Sequence, residues 1–194
     1  MNIVEIAKYA WAHSHPIRFG LAPTWDPALF TGPWAKAQNP TLDWNSFGPG
    51  WYWFSVTMSY SEIHDVRKPP TLPQNGCDIG SLSHANSEIF GCALLCQPDD
   101  QGAIVVYNGH EGNVAARVRA HFALNNDRTG ALGLKHFALS HLAWEVRVFS
   151  SPCLNKLSAE DKARFQLLMN SKSGRCAVET AWRAEYGWPV LCKQ

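Results

Sequence analysis

The sequence predicts an α+β fold, in which a small sheet packs against helices and an N-terminal extension wraps around both. Three runs rich in aromatic and β-branched residues predict strands at 50–60, 103–109 and 142–150. Helical patterns predict helices over 113–124 and 174–186. The chain has 194 residues, which is enough for a substantial core, and we expect a single domain over 1–194.

The patterns of the remaining segments are less regular. A short helix is expected over 2–12, whereas 13–50 is rich in Pro and Gly and is expected to be irregular. Residues 61–102 form a turn-rich connection, in which "SEIFGCALLCQ" fits either a strand or a short helix. A further helix is expected over 130–140.

Capping residues predict where several helices begin and end. Asn113 is suited to cap the helix that follows it, because its side chain can accept from free backbone N–H groups. Ser158 begins a capping-box-like "SAED", which predicts a helix over the residues after it. Gly187 and Pro189 are expected to stop the last helix.

Composition limits the classes of partner. Hydrophobic residues make up 46% of the chain and charged residues 17%, which is typical of a globular protein rather than a disordered one. The formal net charge is +1, so an anionic partner would have to meet a local basic patch. We find no apolar span and no signal peptide, and expect a cytoplasmic protein without membrane contact.

The six cysteines are expected to be reduced and mostly buried. A zinc site is the alternative for four residues that lie close together in sequence, Cys77, His84, Cys92 and Cys96. Their spacing matches no common zinc pattern, which favours buried thiols.

Residues 105–122 combine a strand with a helix that carries groups able to handle phosphate. The strand ends in Tyr107-Asn108-Gly109, and the next helix carries Arg117 and His121 four positions apart, on one face. A guanidinium offers a planar fork of donors that matches two phosphate oxygens, and imidazole can donate, accept or relay a proton.

The spacing Tyr107-x-Gly109-x7-Arg117-x3-His121 resembles the second motif and the catalytic helix of the GIY-YIG nuclease superfamily. Gly50-Trp51-Tyr52 is similar to the first motif, with Trp51 in place of the usual apolar residue. Residues 176–192 resemble the terminal helix of that family, in which Glu179 takes the place of its metal-binding glutamate.

This resemblance implies a small, mostly antiparallel three-stranded sheet flanked by helices. It divides the chain into an N-terminal extension over 1–49, a catalytic core over 50–58 and 103–192, and an insert over 59–102. The insert is a departure, because the family usually joins its first two strands by a short turn. A second departure is Cys192, which stands near the place of a family asparagine.

The resemblance also implies a role for each site residue. Tyr52 would activate the attacking water, while Tyr107 would position that water or the phosphate. Arg117 would stabilise the developing negative charge, and His121 would support Tyr52 or a phosphate oxygen. Glu179 would be the single protein ligand of Mg²⁺, or of another divalent ion such as Mn²⁺.

The implied function is a metal-dependent endonuclease acting on double-stranded DNA, most like the restriction enzymes of the superfamily. A palindromic target would imply a homodimer, because protein symmetry mirrors site symmetry. The candidates for DNA binding outside the catalytic set are Arg119, Arg67, Lys68 and Lys135. The alternatives are a catalytically inactive or structure-selective nucleic-acid-binding module, and an unrelated interaction domain in which Tyr52, Arg117 and Glu179 lie far apart.

Overall fold

The fold is organised around a four-stranded antiparallel sheet with the strand order β1-β4-β2-β3. The computed structural model describes residues 1–40, 43–124 and 130–193. The strands are β1 (His15–Gly20), β2 (Gly50–Thr57), β3 (Ala103–Glu111) and β4 (Ala143–Ser150). The predicted α+β class and the three predicted strands are confirmed, and β3 lies at one edge of the sheet.

The prediction of only three strands is wrong, because β1 adds a fourth strand inside the segment expected to be irregular. β1 pairs antiparallel with β4, from His15 opposite Val148 to Gly20 opposite Ala143. The strand has six residues and begins with a His-Pro pair, so its own pattern is weak. Its pairing with β4 is a tertiary contact, which local propensity does not encode.

Seven α-helices are assigned within the described ranges. They are α1 (Ile3–Ala12), α2 (Gly32–Gln38), α3 (Tyr60–His64), α4 (Ile79–Leu94), α5 (Val114–Ala123), α6 (Ala159–Asn170) and α7 (Lys172–Tyr186). Three of them confirm the helices predicted over 2–12, 113–124 and 174–186. α4 is interrupted at Gly91, and its course resolves the ambiguous segment 87–97 in favour of a helix.

The predicted caps are present. The Asn113 side chain accepts a hydrogen bond from the Ala116 N–H at 2.9 Å, and the Ser158 side chain accepts one from the Asp161 N–H at 3.2 Å. The helix predicted over 130–140 is wrong, since this segment contains only a short 3-10 helix at Leu134–His136.

Alternation along β2 directs neighbouring side chains to opposite faces of the sheet. Tyr52 and Phe54 face α5, and their rings lie 5.4 and 5.7 Å from the His121 ring. Trp53 faces α7, and its ring lies 6.0 Å from that of Trp182. The sheet is therefore covered by helices on both faces.

The insert and the C-terminal segment contact each other beside β3. The Asn86 side chain, from α4, donates to the carbonyl oxygens of Val190 and Cys192 at 2.8 and 2.9 Å. The Leu191 N–H donates to the Val106 carbonyl on β3 at 2.8 Å. These contacts fix the segment after α7 along the open edge of the sheet.

One cluster of buried apolar side chains includes residues of the predicted extension, insert and core, such as Ile6, Ile79 and Val148. The division into those three segments remains a prediction, and residues 125–129 of the predicted core lie outside the described residues. Over the part of the chain that the structure describes, no helix combines the length and the apolar character needed to cross a bilayer.

Candidate active site

A pocket of about 270 Å³ lies at the edge strand β3, with walls from both sides of the sheet. Four of the five residues predicted to be catalytic line it: Tyr52, Tyr107, Arg117 and Glu179. The fifth, His121, is fully buried behind Tyr52. Residues far apart in sequence are therefore brought together here.

Alternation along β3 gives the pocket two chemically different walls. Tyr107 and Gly109 lie on the side of α5, because Gly109 pairs with Tyr52 and Tyr107 pairs with Phe54. Asn108 and His110 point to the other side, towards α7. We call Tyr52, Tyr107, Arg117 and His121 the tyrosine face, and we call Glu179, Arg183, His110 and Arg175 the glutamate face.

On the tyrosine face, glycine at position 109 makes room for the Tyr52 ring. A Cβ atom added to Gly109 would lie 2.5 Å from the Tyr52 hydroxyl oxygen and 2.8 Å from its ring carbon Cζ. These distances are shorter than a van der Waals contact, so a side chain at this position would displace the phenol. The Tyr52 and Tyr107 rings are nearly parallel, with centroids 6.2 Å apart.

His121 supports Tyr52 as a hydrogen-bond donor. Its Nδ1 accepts a hydrogen bond from the Leu132 N–H at 3.3 Å, which places the ring proton on Nε2. Nε2 lies 2.9 Å from the Tyr52 hydroxyl oxygen, and donates to it. Burial, together with the charge of Arg117, lowers the pKa of His121 well below its ordinary value, so the ring is neutral at pH 7.

Arg117 is the cation of the tyrosine face, and its positive charge acts on the hydroxyl groups of Tyr52 and Tyr107. Burial raises the pKa of Tyr52 well above its ordinary value, and Arg117 opposes that rise. Burial likewise raises the pKa of Tyr107, to about 12. Both phenols are therefore protonated at pH 7 in the free protein.

On the glutamate face, Glu179 lies between the side chains of Arg183 and His110. Its Oε1 forms an ion pair with Nη2 of Arg183, one turn further along α7, and its Oε2 lies 3.7 Å from Nε2 of His110. The side chains of Glu179 and Arg183 are only 15% and 16% exposed. Burial raises the pKa of Glu179, and Arg183 opposes this effect.

Arg183 is itself anchored at two further points. Its Nε donates to the Asn108 side-chain oxygen at 2.9 Å, and its guanidinium lies 4.3 Å from the ring centroid of Trp188. Arg183 was not predicted as a site residue. Its position depends on β3 and on the segment after α7, which no local pattern reveals.

His110 was not predicted as a site residue, although it directly follows Gly109. Arg175 Nε lies 3.4 Å from His110 Nδ1, while the Cys176 sulfur lies 3.1 Å from Nε2. Burial and the nearby Arg175 lower the pKa of His110 to about 4, so its ring is neutral at pH 7. Side chains alternate between the two faces along a strand, so the sequence could have indicated that His110 points to the face opposite Gly109.

Cys192 lines the pocket and is buried. Its sulfur lies 3.3 Å from the Asn108 backbone nitrogen and 3.3 Å from the Asn108 side-chain oxygen. Burial raises its pKa to about 12, so it is a neutral thiol. A thiol is a weaker donor and acceptor than a side-chain amide, so the hydrogen bonds of Cys192 are weaker than those an asparagine could form.

The described residues that line the pocket include none of the four additional DNA-binding candidates. The Arg119 guanidinium donates to the backbone carbonyl oxygens of Leu29 and Pro27 in the N-terminal segment. The other three candidates, Arg67, Lys68 and Lys135, are exposed on the surface. Their contact with DNA remains a prediction.

The residues that line the pocket suit a metal ion that binds few protein ligands. Glu179 and Glu111 contribute the carboxylates that line it. Within 1–40, 43–124 and 130–193, no three His, Cys, Asp or Glu side chains are placed to hold one metal ion, so the structure gives no zinc cluster at Cys77, His84, Cys92 and Cys96. Mg²⁺ usually keeps several waters and binds one or two carboxylates, so Glu179 is a chemically suitable ligand.

Comparison with known proteins assigns no family. No protein-family model and no solved structure matches the chain. A segment of 95 residues is 30% identical to integrin alpha-2 of Bos taurus. The match covers 46% of this chain but 8% of that protein, so the chain spans less than a tenth of its relative's length. Such a partial likeness does not establish membership of a family.

Proposed function

We propose that this chain is a metal-dependent endonuclease that hydrolyses DNA phosphodiester bonds with a GIY-YIG-type site. The observation that carries the proposal is that Tyr52, Tyr107, Arg117 and Glu179 line one small pocket. They come from two strands and two helices spread over more than half of the chain. An accidental sequence match gives no reason for these four side chains to converge.

Tyr52 is the proposed general base for the attacking water. The phenol is protonated at pH 7, so to act as a base Tyr52 first releases its proton to solvent, and the phenolate that forms then accepts a proton from the attacking water. His121 donates a hydrogen bond to the hydroxyl oxygen, and the charge of Arg117 acts on the same group. Both interactions favour the phenolate over the phenol and lower the cost of proton transfer.

Arg117 is the proposed electrostatic partner of the phosphate. Its planar guanidinium presents donors that can meet two phosphate oxygens, and its charge opposes the negative charge that develops during attack. Tyr107, stacked beside Tyr52, positions the phosphate or the water. Glu179 would hold the divalent ion, which would supply charge neutralisation to the phosphate and the leaving oxygen.

The finer proposal is a sequence-specific enzyme similar to type II restriction endonucleases. Residues 1–49 and 59–102 lie outside the proposed catalytic core and are the proposed regions for DNA recognition. A homodimer follows if the target sequence is a palindrome.

Cleavage of long, unmodified duplex DNA with Mg²⁺ tests the proposal. We expect discrete fragments from the wild type, and cleavage slowed by about 100-fold or more in Arg117→Ala and Glu179→Gln, with DNA binding retained. Arg164→Ala is a matched control, since it removes the same type of side chain from α6, where Arg164 pairs with Glu160 and does not line the pocket. Equal cleavage by the wild type and Glu179→Gln contradicts the proposal.

A second candidate is an inactive or structure-selective nucleic-acid-binding module. It is favoured by the thiol of Cys192 and by the pairing of Glu179 with Arg183. Retention of duplex DNA in a gel shift without cleavage supports an inactive module. Cleavage of branched DNA alone supports structure-selective activity.

A further inference from the structure

The carboxylate of Glu179 is already engaged in the free protein by a cation that is built into the fold. Arg183 contacts Oε1 of Glu179, donates to Asn108 and stacks over Trp188. Three elements therefore determine its position: α7, β3 and the segment that follows α7. A side chain fixed in this way is not free to move away when a second cation approaches.

We propose that Arg183 keeps Glu179 closed to divalent cations in the free protein, and that the DNA phosphate admits the ion by adding negative charge. The inference rests on the proposed function, because it takes Glu179 to be the metal ligand. It adds an order of assembly, in which DNA binds first and the divalent ion follows.

The charges in the pocket support this order. Among its described lining residues, Arg117, Arg183 and Lys193 are cationic, while Glu111 and Glu179 carry carboxylates. A doubly charged ion that binds Glu179 in this setting meets the guanidinium of Arg183 at close range. Repulsion between partly buried charges is screened less than on an open surface, so it weakens binding of the ion.

A phosphate can relieve this repulsion without moving Arg183. A guanidinium has five N–H donors, and the contacts to Glu179 and Asn108 leave others available. A phosphate oxygen that meets those donors brings negative charge between the guanidinium and the incoming ion. The cost of placing a divalent cation beside Glu179 then falls.

The chain contains a matched ion pair that lacks this environment. Arg164 and Glu160 on α6 also form an i,i+4 pair, with Nη2 and Oε1 2.9 Å apart. Their side chains are 50% and 78% exposed, whereas those of Arg183 and Glu179 are 16% and 15% exposed. Arg164→Gln therefore controls for the loss of an arginine–glutamate pair outside the pocket.

The test is the affinity of the full chain for Mn²⁺ without DNA, measured by electron paramagnetic resonance of the free ion. We expect Arg183→Gln to bind Mn²⁺ about 10-fold more tightly than the wild type, since a competing cation is gone. Arg164→Gln is expected to match the wild type. Arg183→Lys keeps the positive charge and is expected to remain weak, while Glu179→Gln combined with Arg183→Gln abolishes the gain.

A second arm adds duplex DNA in a Tyr52→Phe background, which removes the proposed base and keeps the ring. We expect the DNA to raise Mn²⁺ affinity by about 10-fold when Arg183 is present, and by much less in Arg183→Gln. Equal enhancement with and without Arg183 overturns the proposal.

Unchanged or weaker Mn²⁺ binding by Arg183→Gln, with a wild-type circular dichroism spectrum, also overturns it. If that variant does not fold, Arg183→Met provides the same comparison, because its unbranched side chain can still pack against Trp188. The proposed function fails separately. If no DNA is cleaved but Arg183→Gln binds Mn²⁺ more tightly through Glu179, the nuclease proposal is contradicted and the role of Arg183 is supported. If DNA is cleaved but Arg183→Gln binds Mn²⁺ as the wild type does, the nuclease proposal is supported and the role of Arg183 is contradicted.

Discussion

The tyrosine face and the glutamate face lie on opposite sides of the same strand, yet different interactions hold them. On the tyrosine face, neutral His121 and Tyr52 are fully buried and joined by one hydrogen bond. On the glutamate face, Glu179 and Arg183 form an ion pair that is partly open to solvent. Only Arg117 brings a full charge to the tyrosine face.

This difference predicts that the two faces respond differently to substitution and to salt. A buried neutral hydrogen bond resists salt, but losing one partner leaves the other, which is shielded from water, with one hydrogen bond fewer. A partly exposed ion pair tolerates substitution better, and its strength falls as ionic strength rises. Substitutions on the tyrosine face should therefore reduce stability most, whereas those on the glutamate face should mainly alter ion binding.

The largest expected effect on stability is that of His121→Ala. The substitution leaves a cavity and removes the partners of the Tyr52 hydroxyl and the Leu132 N–H. We expect the free energy of unfolding to fall by about 3 kcal/mol, as measured by urea denaturation. A loss below about 1 kcal/mol contradicts the view that buried hydrogen bonding holds this face.

The second largest effect on stability is expected for Gly109→Ala. Its free energy of unfolding should fall by about 2 kcal/mol, because the added methyl group overpacks against the Tyr52 phenol. The displaced phenol should also reduce DNA cleavage. Gly112→Ala is the control, because a Cβ at that position meets no atom within 4 Å. Similar denaturation midpoints for the two variants would show that Tyr52 does not constrain position 109.

On the glutamate face, Arg183→Gln is expected to cost about 1.5 kcal/mol, because Glu179 and Asn108 lose a partner near the protein interior. The exposed Arg164→Gln is expected to cost no more than about 0.5 kcal/mol. Thermal unfolding at low and high salt measures both. Equal losses would mean that burial of the Glu179 pair adds nothing to its strength.

The smallest expected effect is the dependence of stability on pH below neutrality. The pKa of His121 is lowered in the folded state by burial, so below about pH 6.5 the unfolded chain binds a proton that the folded chain does not. Stability is therefore highest above that pH and falls as the pH decreases. Between pH 6.5 and 5.5 we expect this histidine to contribute a loss of about 1 kcal/mol.

Urea denaturation at several pH values measures this slope. His110 contributes in the same direction, since burial lowers its pKa to about 4. His121→Gln lacks the titrating group of the tyrosine face, so its slope should be shallower than that of the wild type. Identical slopes would contradict a buried, neutral His121.

Local sequence patterns predicted much of the secondary structure and of the candidate site. Caps at Asn113 and Ser158 and the stop at Gly187 fixed helix ends, because these residues act on the backbone next to them. The resemblance selected Tyr52, Tyr107, Arg117 and Glu179, which lie together in one pocket. Their catalytic roles, the divalent ion and the DNA substrate remain proposals.

The sequence by itself determined the α+β class, three of the four strands and the main helices, since these depend on periodicity and on neighbours along the chain. Only the tertiary structure decided that the extension contributes β1, that Arg119 is directed to the N-terminal segment, and that Arg183 and His110 flank Glu179. These features depend on strand pairing and on contacts between residues distant in sequence. Such contacts follow from how the whole core packs, so no single segment specifies them.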